Sequence, residues 1–162
     1  MQEIPYNHQR GNIPASISMI PLFAQLKEAT LEELLGHASI VQLDAGETFL
    51  KEGGRATGLF IILKGKFEVS KNGRAVATLT KAGELLGEMS FILNQPHQAN
   101  VTAKSQATVF KIDSHVMDAL PNDHYDHFQG TMYRYLTKLL AERLVKTSEQ
   151  LTKSQSEDIY YL

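Results

Sequence analysis

Hydrophobic and polar positions change rhythm along this chain, and each change marks a different kind of element. Residues 1–16 are polar, with Pro5, Gly11 and Pro14 breaking any repeat, and they predict an extended N-terminal arm. From Ile17 onward apolar residues cluster at Ile20, Leu22, Phe23 and Leu26, which predicts a short helical bundle. Thr30-Leu31-Glu32-Glu33, just ahead of Leu34 and Leu35, has the Ser/Thr-x-x-Glu form of a capping box, in which two side chains satisfy the free backbone N–H groups of a helix start.

Between Ile40 and Ile112 the text turns to short apolar or alternating runs punctuated by glycines, the pattern of a small antiparallel β-structure. Gly58-Leu59-Phe60-Ile61-Ile62-Leu63 is apolar throughout, as a strand buried on both faces must be, whereas Phe67 and Val69 alternate with Glu68 and Ser70. Asn72-Gly73 then supplies two residues that tolerate positive φ, so a tight hairpin should join that strand to one through Ala75–Leu79. After Pro121 the period becomes helical, with Phe128, Met132, Leu136, Leu139, Leu140, Leu144 and Leu151 drifting along one face. Glu142 is spaced to pair with Lys146 and with Lys138. Such a helix either caps the β-structure or forms a seam with a second helix, and the two roles are compatible.

Composition narrows the function. With 16 Lys+Arg against 18 Asp+Glu the formal charge is −2, which gives no field for holding nucleic acid through its phosphates. The chain has no cysteine, so disulfides, thiolate nucleophiles and cysteine metal sites are excluded. It shows no signal-peptide pattern and no apolar run of membrane-spanning length, and the expectation is a soluble cytoplasmic protein.

Three strings carry a resemblance. Ala45-Gly46-Glu47 with Lys51-Glu52-Gly53, then Leu59-Phe60-Ile61-Ile62-Leu63-Lys64-Gly65-Lys66-Phe67-Glu68-Val69, then Ala82-Gly83-Glu84-Leu85-Leu86-Gly87-Glu88-Met89-Ser90, are similar to successive motifs of the cyclic-nucleotide-binding domain family. The similarity runs from about Ile20 through Leu120, and Leu140-Ala141-Glu142-Arg143-Leu144 is similar to the long helix that follows in the bacterial members. The resemblance implies a mainly β fold, an antiparallel jelly-roll-like β-roll with N-terminal helices and a long C-terminal helix. It divides the chain into an arm (1–16), a roll with leading helices (17–122) and a C-terminal helix with a polar tail (123–162).

The third string corresponds to the family's phosphate-binding cassette, which implies ligand contacts from Gly87, Glu88, Met89, Ser90, His97, Gln98 and Ala99. A cyclic nucleotide presents one phosphate charge, one ribose 2′-hydroxyl and one base. Backbone N–H groups beyond Gly87 suit the phosphate, and Glu88 suits the hydroxyl as acceptor. The family's cassette normally ends in Pro-Arg, where the guanidinium clamps the phosphate. Here the residues are Pro96-His97, and an unperturbed imidazole, titrating near ~6.5, is mostly uncharged at neutral pH. Three readings stand: a weak or pH-sensitive sensor of cAMP or cGMP, a β-roll that has lost its nucleotide and docks on another protein, or a site for a different anion. Gln98 both donates and accepts and does not decide the base. Tyr133, Arg134 or Thr137 on the C-terminal helix are candidates for a lid over a base.

Other chemistry falls away. His124-x-x-His127 beside Asp123 and Asp126 offers two imidazoles, too few for a tetrahedral metal site, and His8, His37 and His115 stand alone as surface or capping residues. A cupin enzyme would need His-x-His, and neither that nor Gly-x-Ser-x-Gly, Gly-Lys-Ser/Thr or His-Glu-x-x-His occurs. No catalysis and no required cofactor are expected. No helix-turn-helix follows the long helix, so DNA is not an expected partner. The expectation is a stand-alone regulatory module in signal transduction, associating as a homodimer or with a partner protein through the last helix, with Ile159-Tyr160-Tyr161-Leu162 as a further docking patch.

Overall fold

In a computed structural model, which describes residues 1–160 and side chains through residue 154, nine strands and six helices build a three-layered arrangement. The strands are β1 (Gln2–Pro5), β2 (Ala38–Leu43), β3 (Thr48–Leu50), β4 (Gly58–Lys64), β5 (Phe67–Lys71), β6 (Arg74–Leu79), β7 (Leu85–Leu86), β8 (Asn100–Ala103) and β9 (Ala107–Asp113). The helices are α1 (Ala15–Ser18), α2 (Pro21–Ala24), α3 (Glu28–Leu35), α4 (Glu88–Leu93), α5 (Val116–Ala119) and α6 (Asn122–Tyr160). One sheet has the order β1-β2-β9-β4-β7 and the other β3-β8-β5-β6, with every pairing antiparallel. This is the mainly β roll with flanking helices and a long C-terminal helix that the sequence implied.

Strand β4 shows why its sequence has no polar face. Leu59 and Ile61 belong to a core shared with the helices, whereas Phe60 and Ile62 belong to a second core between the sheets. Because side chains alternate along a strand, a continuous apolar run is what a middle layer requires. Strand β7 divides in the same way, Leu85 to the helix side and Leu86 to the inter-sheet side. The hairpin between β5 and β6 turns at Asn72 and Gly73, with φ of 52° and 76°, between the paired residues Lys71 and Arg74. That is the double positive φ the Asn-Gly dipeptide predicts.

Helix α6 is fastened to the roll by Phe128, Met132 and Leu136, all at or below 1% exposure and spaced one turn apart. Each contributes on the order of 1.5–3 kcal/mol by burial. Leu139 packs partly on the same core. Further along, Leu144, Val145 and Leu151 are exposed, so the apolar face read from the sequence is buried only in its first half. Among the described residues no helix is long and apolar enough to cross a membrane.

Two local expectations are corrected. Helix α3 does not start at a Thr30 capping box: it begins at Glu28 after Lys27, and Thr30 lies inside it, 2% exposed, with its hydroxyl 2.9 Å from His124 Nδ1. The backbone N–H of Lys27 donates instead to His127 Nε2 at 3.0 Å, so an imidazole from α6 meets the donor that a box glutamate would meet. His8 is not isolated at the surface: its side chain is 6% exposed and bonds Glu32 through Nε2. Glu32 also accepts from the Gly11 N–H at 2.9 Å, and Arg10 bonds Glu33 at 2.9 Å, while Gln2–Pro5 of the extended arm pair with Ser39–Gln42. The first residues are therefore part of the sheet as well as extended. The Ile159-Tyr160-Tyr161-Leu162 patch lies outside the residues whose side chains are described.

Candidate functional site

The cassette begins where β7 ends. Gly87 has φ 75° and ψ 12°, a left-handed conformation that a side-chain-bearing residue adopts at a cost, and it turns the chain from β7 into α4. This turn buries Glu88 and Ser90, at 7% and 5% exposure, and leaves Met89 half exposed. The opposite wall comes from the segment ahead of β8. There the backbone N–H of His97 donates to Gly54 O at 2.9 Å and the N–H of Gly53 donates to His97 O at 2.8 Å. This exchange fixes His97 with its side chain inward, 6% exposed. A methyl group placed on Gly87 would lie 3.5 Å from His97 Cε1, an ordinary contact distance, so the two walls face each other closely and it is the positive φ that favours glycine here.

Between these walls is a cleft of about 300 Å³. Its apolar lining includes Leu50, Val69, Leu79, Leu85, Leu86 and Val101, and all seven cassette positions, Gly87, Glu88, Met89, Ser90, His97, Gln98 and Ala99, reach it. An apolar floor with a few convergent polar groups suits a small ligand with one apolar ring system and one polar edge. Desolvation pushes the His97 imidazole below its ordinary value of 6.5, so near neutral pH the ring is uncharged and can both donate and accept.

The polar edge is completed from an unforeseen direction. Arg143 of α6 lines the cleft, and its Nη1 donates to Glu88 Oε1. The carboxylate expected to wait for a ribose hydroxyl is thus already ion-paired. The Glu88 side chain is 9% exposed and that of Arg143 41%, so the pair closes one side of the cleft with the guanidinium half in solvent.

The suggested lid residues lie elsewhere. Tyr133 borders a second cleft, with Phe91, Asn94, Met117 and Gln129, and Arg134 borders a third, with Pro21, Gln25 and Glu142. Thr137 is exposed and donates to Tyr133 O at 2.7 Å. None of the three lines the cleft that holds His97. Helical phase explains the difference. Phe128, Met132, Leu136 and Leu139 face the roll, and the next position of that stripe is Arg143, whereas Tyr133 and Thr137 are on other faces. The signal in the sequence was an inward apolar stripe that ends on a cation.

His124 and His127 are spent on α3, as described above, and among the described residues no group of three or more His, Asp or Glu is placed to hold a metal ion.

Comparison with known proteins agrees with this geometry. Over 144 residues the chain is 28% identical to the Pycsar effector protein XpPycTIR of Xanthomonas perforans, covering 88% of this chain and 45% of that protein. It is 26% identical over 122 residues to the cAMP-dependent protein kinase regulatory subunit of Blastocladiella emersonii, covering 73% of this chain and 30% of that one. The chain thus spans less than half the length of either relative. The regulatory domain of Toxoplasma gondii PKA, solved with cAMP, superposes with a TM-score of 0.62 at 16% identity over 78% of this chain and 48% of that one, which shows the shared fold. The family described as Cyclic nucleotide-binding domain matches residues 40–124, just over half of the chain, from β2 through the roll and the cassette to the start of α6. On that match and this architecture, the chain belongs to the cyclic nucleotide-binding domain family.

Proposed function

We propose that the cleft binds a cyclic nucleotide, cAMP or cGMP, weakly, and that α6 transmits its occupancy. Residues 17–122 then act as the sensing unit and 123–162 as the output, in a regulatory rather than catalytic role in the cytoplasm. The observation that carries this reading is the convergence of all seven cassette residues on one apolar cleft whose polar edge is formed by Glu88, Ser90, His97, Gln98 and Arg143. In that cleft the ribose is placed toward Glu88 and the base along the apolar floor.

Weak binding follows from His97. An uncharged imidazole in place of a guanidinium fork forfeits a charge-assisted contact, which lowers affinity by about one to two decades. Relatives named for cAMP- or cGMP-dependent kinases support the ligand class.

A second reading is a roll without nucleotide that docks on a protein or on a second copy of itself. The specific support is the outward face of α6, where Leu144, Val145 and Leu151 are 67%, 58% and 61% exposed.

Calorimetric titration with cAMP and with cGMP separates the two readings. Saturable heat in the micromolar to millimolar range supports the sensor. No heat from either nucleotide at millimolar concentration removes it and leaves the docking module.

A further inference from the structure

An anion in a largely apolar cleft needs a partner for its charge. His97 does not provide one near neutral pH, because its ring is buried and desolvation favours the neutral form. Met89, Ser90, Gln98 and Ala99 carry no charge, and Glu88 carries the wrong one. The cation that lines the cleft is Arg143.

Its setting is that of a positioned group. A guanidinium has five N–H donors in a rigid fork, and here Nη1 is committed to Glu88 Oε1. The carboxylate is nearly buried, so it holds a fixed orientation, and through it the guanidinium is held at the edge of the cleft. The remaining donors are the bidentate pattern that suits two oxygens of a phosphate. Glu88 Oε2 is left for a hydroxyl.

We propose that Arg143, oriented by Glu88, supplies the positive charge for the phosphate of a nucleotide in the cleft, so that an anion lying between the two walls takes its counter-charge from helix α6. The inference rests on the functional reading above. It also gives that reading a means of transmission. Past Leu140 the described residues of α6 other than Arg143 are exposed, and the Arg143–Glu88 pair returns this part of the helix to the roll. A ligand held by Arg143 therefore stabilises the docked position of the helix, and the docked helix stabilises the ligand, with equal coupling in both directions.

The test is calorimetry with cAMP and cGMP on the full chain as wild type, Arg143→Ala, Arg143→Lys and the double variant His97→Arg/Arg143→Ala, each first shown to be folded by far-UV circular dichroism. Arg143→Ala is expected to weaken binding about tenfold or more, Arg143→Lys less than that, and the double variant to recover most of the loss by returning a guanidinium to the other wall. A purely structural role for Arg143 would not be rescued from His97. Wild-type binding with an Arg143→Ala affinity within about twofold of it, or a loss that His97→Arg does not recover, overturns this inference and leaves the nucleotide reading standing. Wild type that binds neither nucleotide overturns both.

Discussion

Glu88 of α4 and Arg143 of α6 are ion-paired across a sequence separation of 55 residues, and the pair joins the cassette to the long helix α6. One partner is nearly buried and the other is partly solvated, so the pair is worth more than a surface bridge and less than a fully buried one.

A double-mutant cycle with Glu88→Gln and Arg143→Ala should show a coupling of about 1 kcal/mol in urea unfolding. Either single change should raise amide exchange in α6 from Leu139 onward and leave the Phe128–Leu136 turns protected, because those are held by burial. Uniform exchange along the helix in both variants would show that the pair does not fasten it.

Replacing His97 by arginine sets function against stability. The ligand-free protein should lose at least about 1–3 kcal/mol, since a guanidinium in place of a ring that is 6% exposed is a desolvated charge with no carboxylate assigned to it. With cAMP or cGMP the charge gains its partner, affinity should rise about tenfold, and nucleotide should raise the melting temperature more than in wild type. Thermal melts with and without nucleotide read both effects. Equal shifts in the two proteins would place the anion away from position 97.

These expectations also show what local sequence could and could not reveal. The seven cassette residues stand close together along the chain, and β4 declared its two buried faces by an unbroken apolar run from Leu59 through Leu63, so both were legible. Arg143 was not, because its arrival at the cleft depends on the direction in which α6 leaves the roll. The lid candidates Tyr133, Arg134 and Thr137 had suitable chemistry but the wrong helical phase. Thr30 failed for a third reason: a motif that is sufficient in an isolated helix lost to tertiary partners, His127 taking the Lys27 N–H and His124 the Thr30 hydroxyl. His8 looked isolated because its partner Glu32 is 24 residues away and meets it only when the arm folds back on α3.

Thr30→Val tests that tertiary replacement. It keeps the shape and removes the hydroxyl, leaving His124 Nδ1 without its 2.9 Å partner in a partly buried place, and should cost about 1–2 kcal/mol. His127→Ala frees the Lys27 N–H and should cost about 1 kcal/mol by loss of a helix cap. Were a capping box operating after all, Thr30→Val would fray the start of α3, which amide exchange at Glu28–Leu31 would detect, and His127→Ala would have no effect on it.

Beyond the β1–β2 pairing that holds residues 2–5, the arm is fastened at His8 and Gly11 by one carboxylate. Glu32 lies below its ordinary value of 4.5, first through its hydrogen bond with His8 and further through the Gly11 N–H and the nearby cations, against opposing desolvation. A lowered carboxyl contributes stability above its unfolded value that is lost as pH falls through the folded one. Limited proteolysis of residues 1–12 should therefore accelerate below about pH 4.5. Glu32→Ala should show the fast rate already at neutral pH with little change in global melting temperature, since the sheet core is untouched. A neutral-pH rate equal to wild type would assign the arm's attachment to the β1–β2 pairing alone.

The two depressed histidines predict a second, milder acid response. Desolvation is the leading cause at both His97 and His127, and at His127 the nearby Lys27, Arg134 and His124 add to it. The ordinary value of 6.5 describes the unfolded chain, so between it and the lower folded values the unfolded state binds more protons and stability rises with pH. The melting temperature should be level above about pH 7 and fall as pH drops below about 6.5. His97→Gln and His127→Gln each keep a polar side chain, and each should flatten part of that fall, His127→Gln while still offering an acceptor to Lys27. Nucleotide acts in the opposite sense at His97, because a phosphate beside the ring favours its protonated form. Affinity should thus change little between about pH 8 and pH 7 and tighten as pH falls below 6.5, with the tightening absent in His97→Gln. Tightening that persists in His97→Gln would mean that another group senses the phosphate, and His97 would then be left with the packing role its burial already gives it.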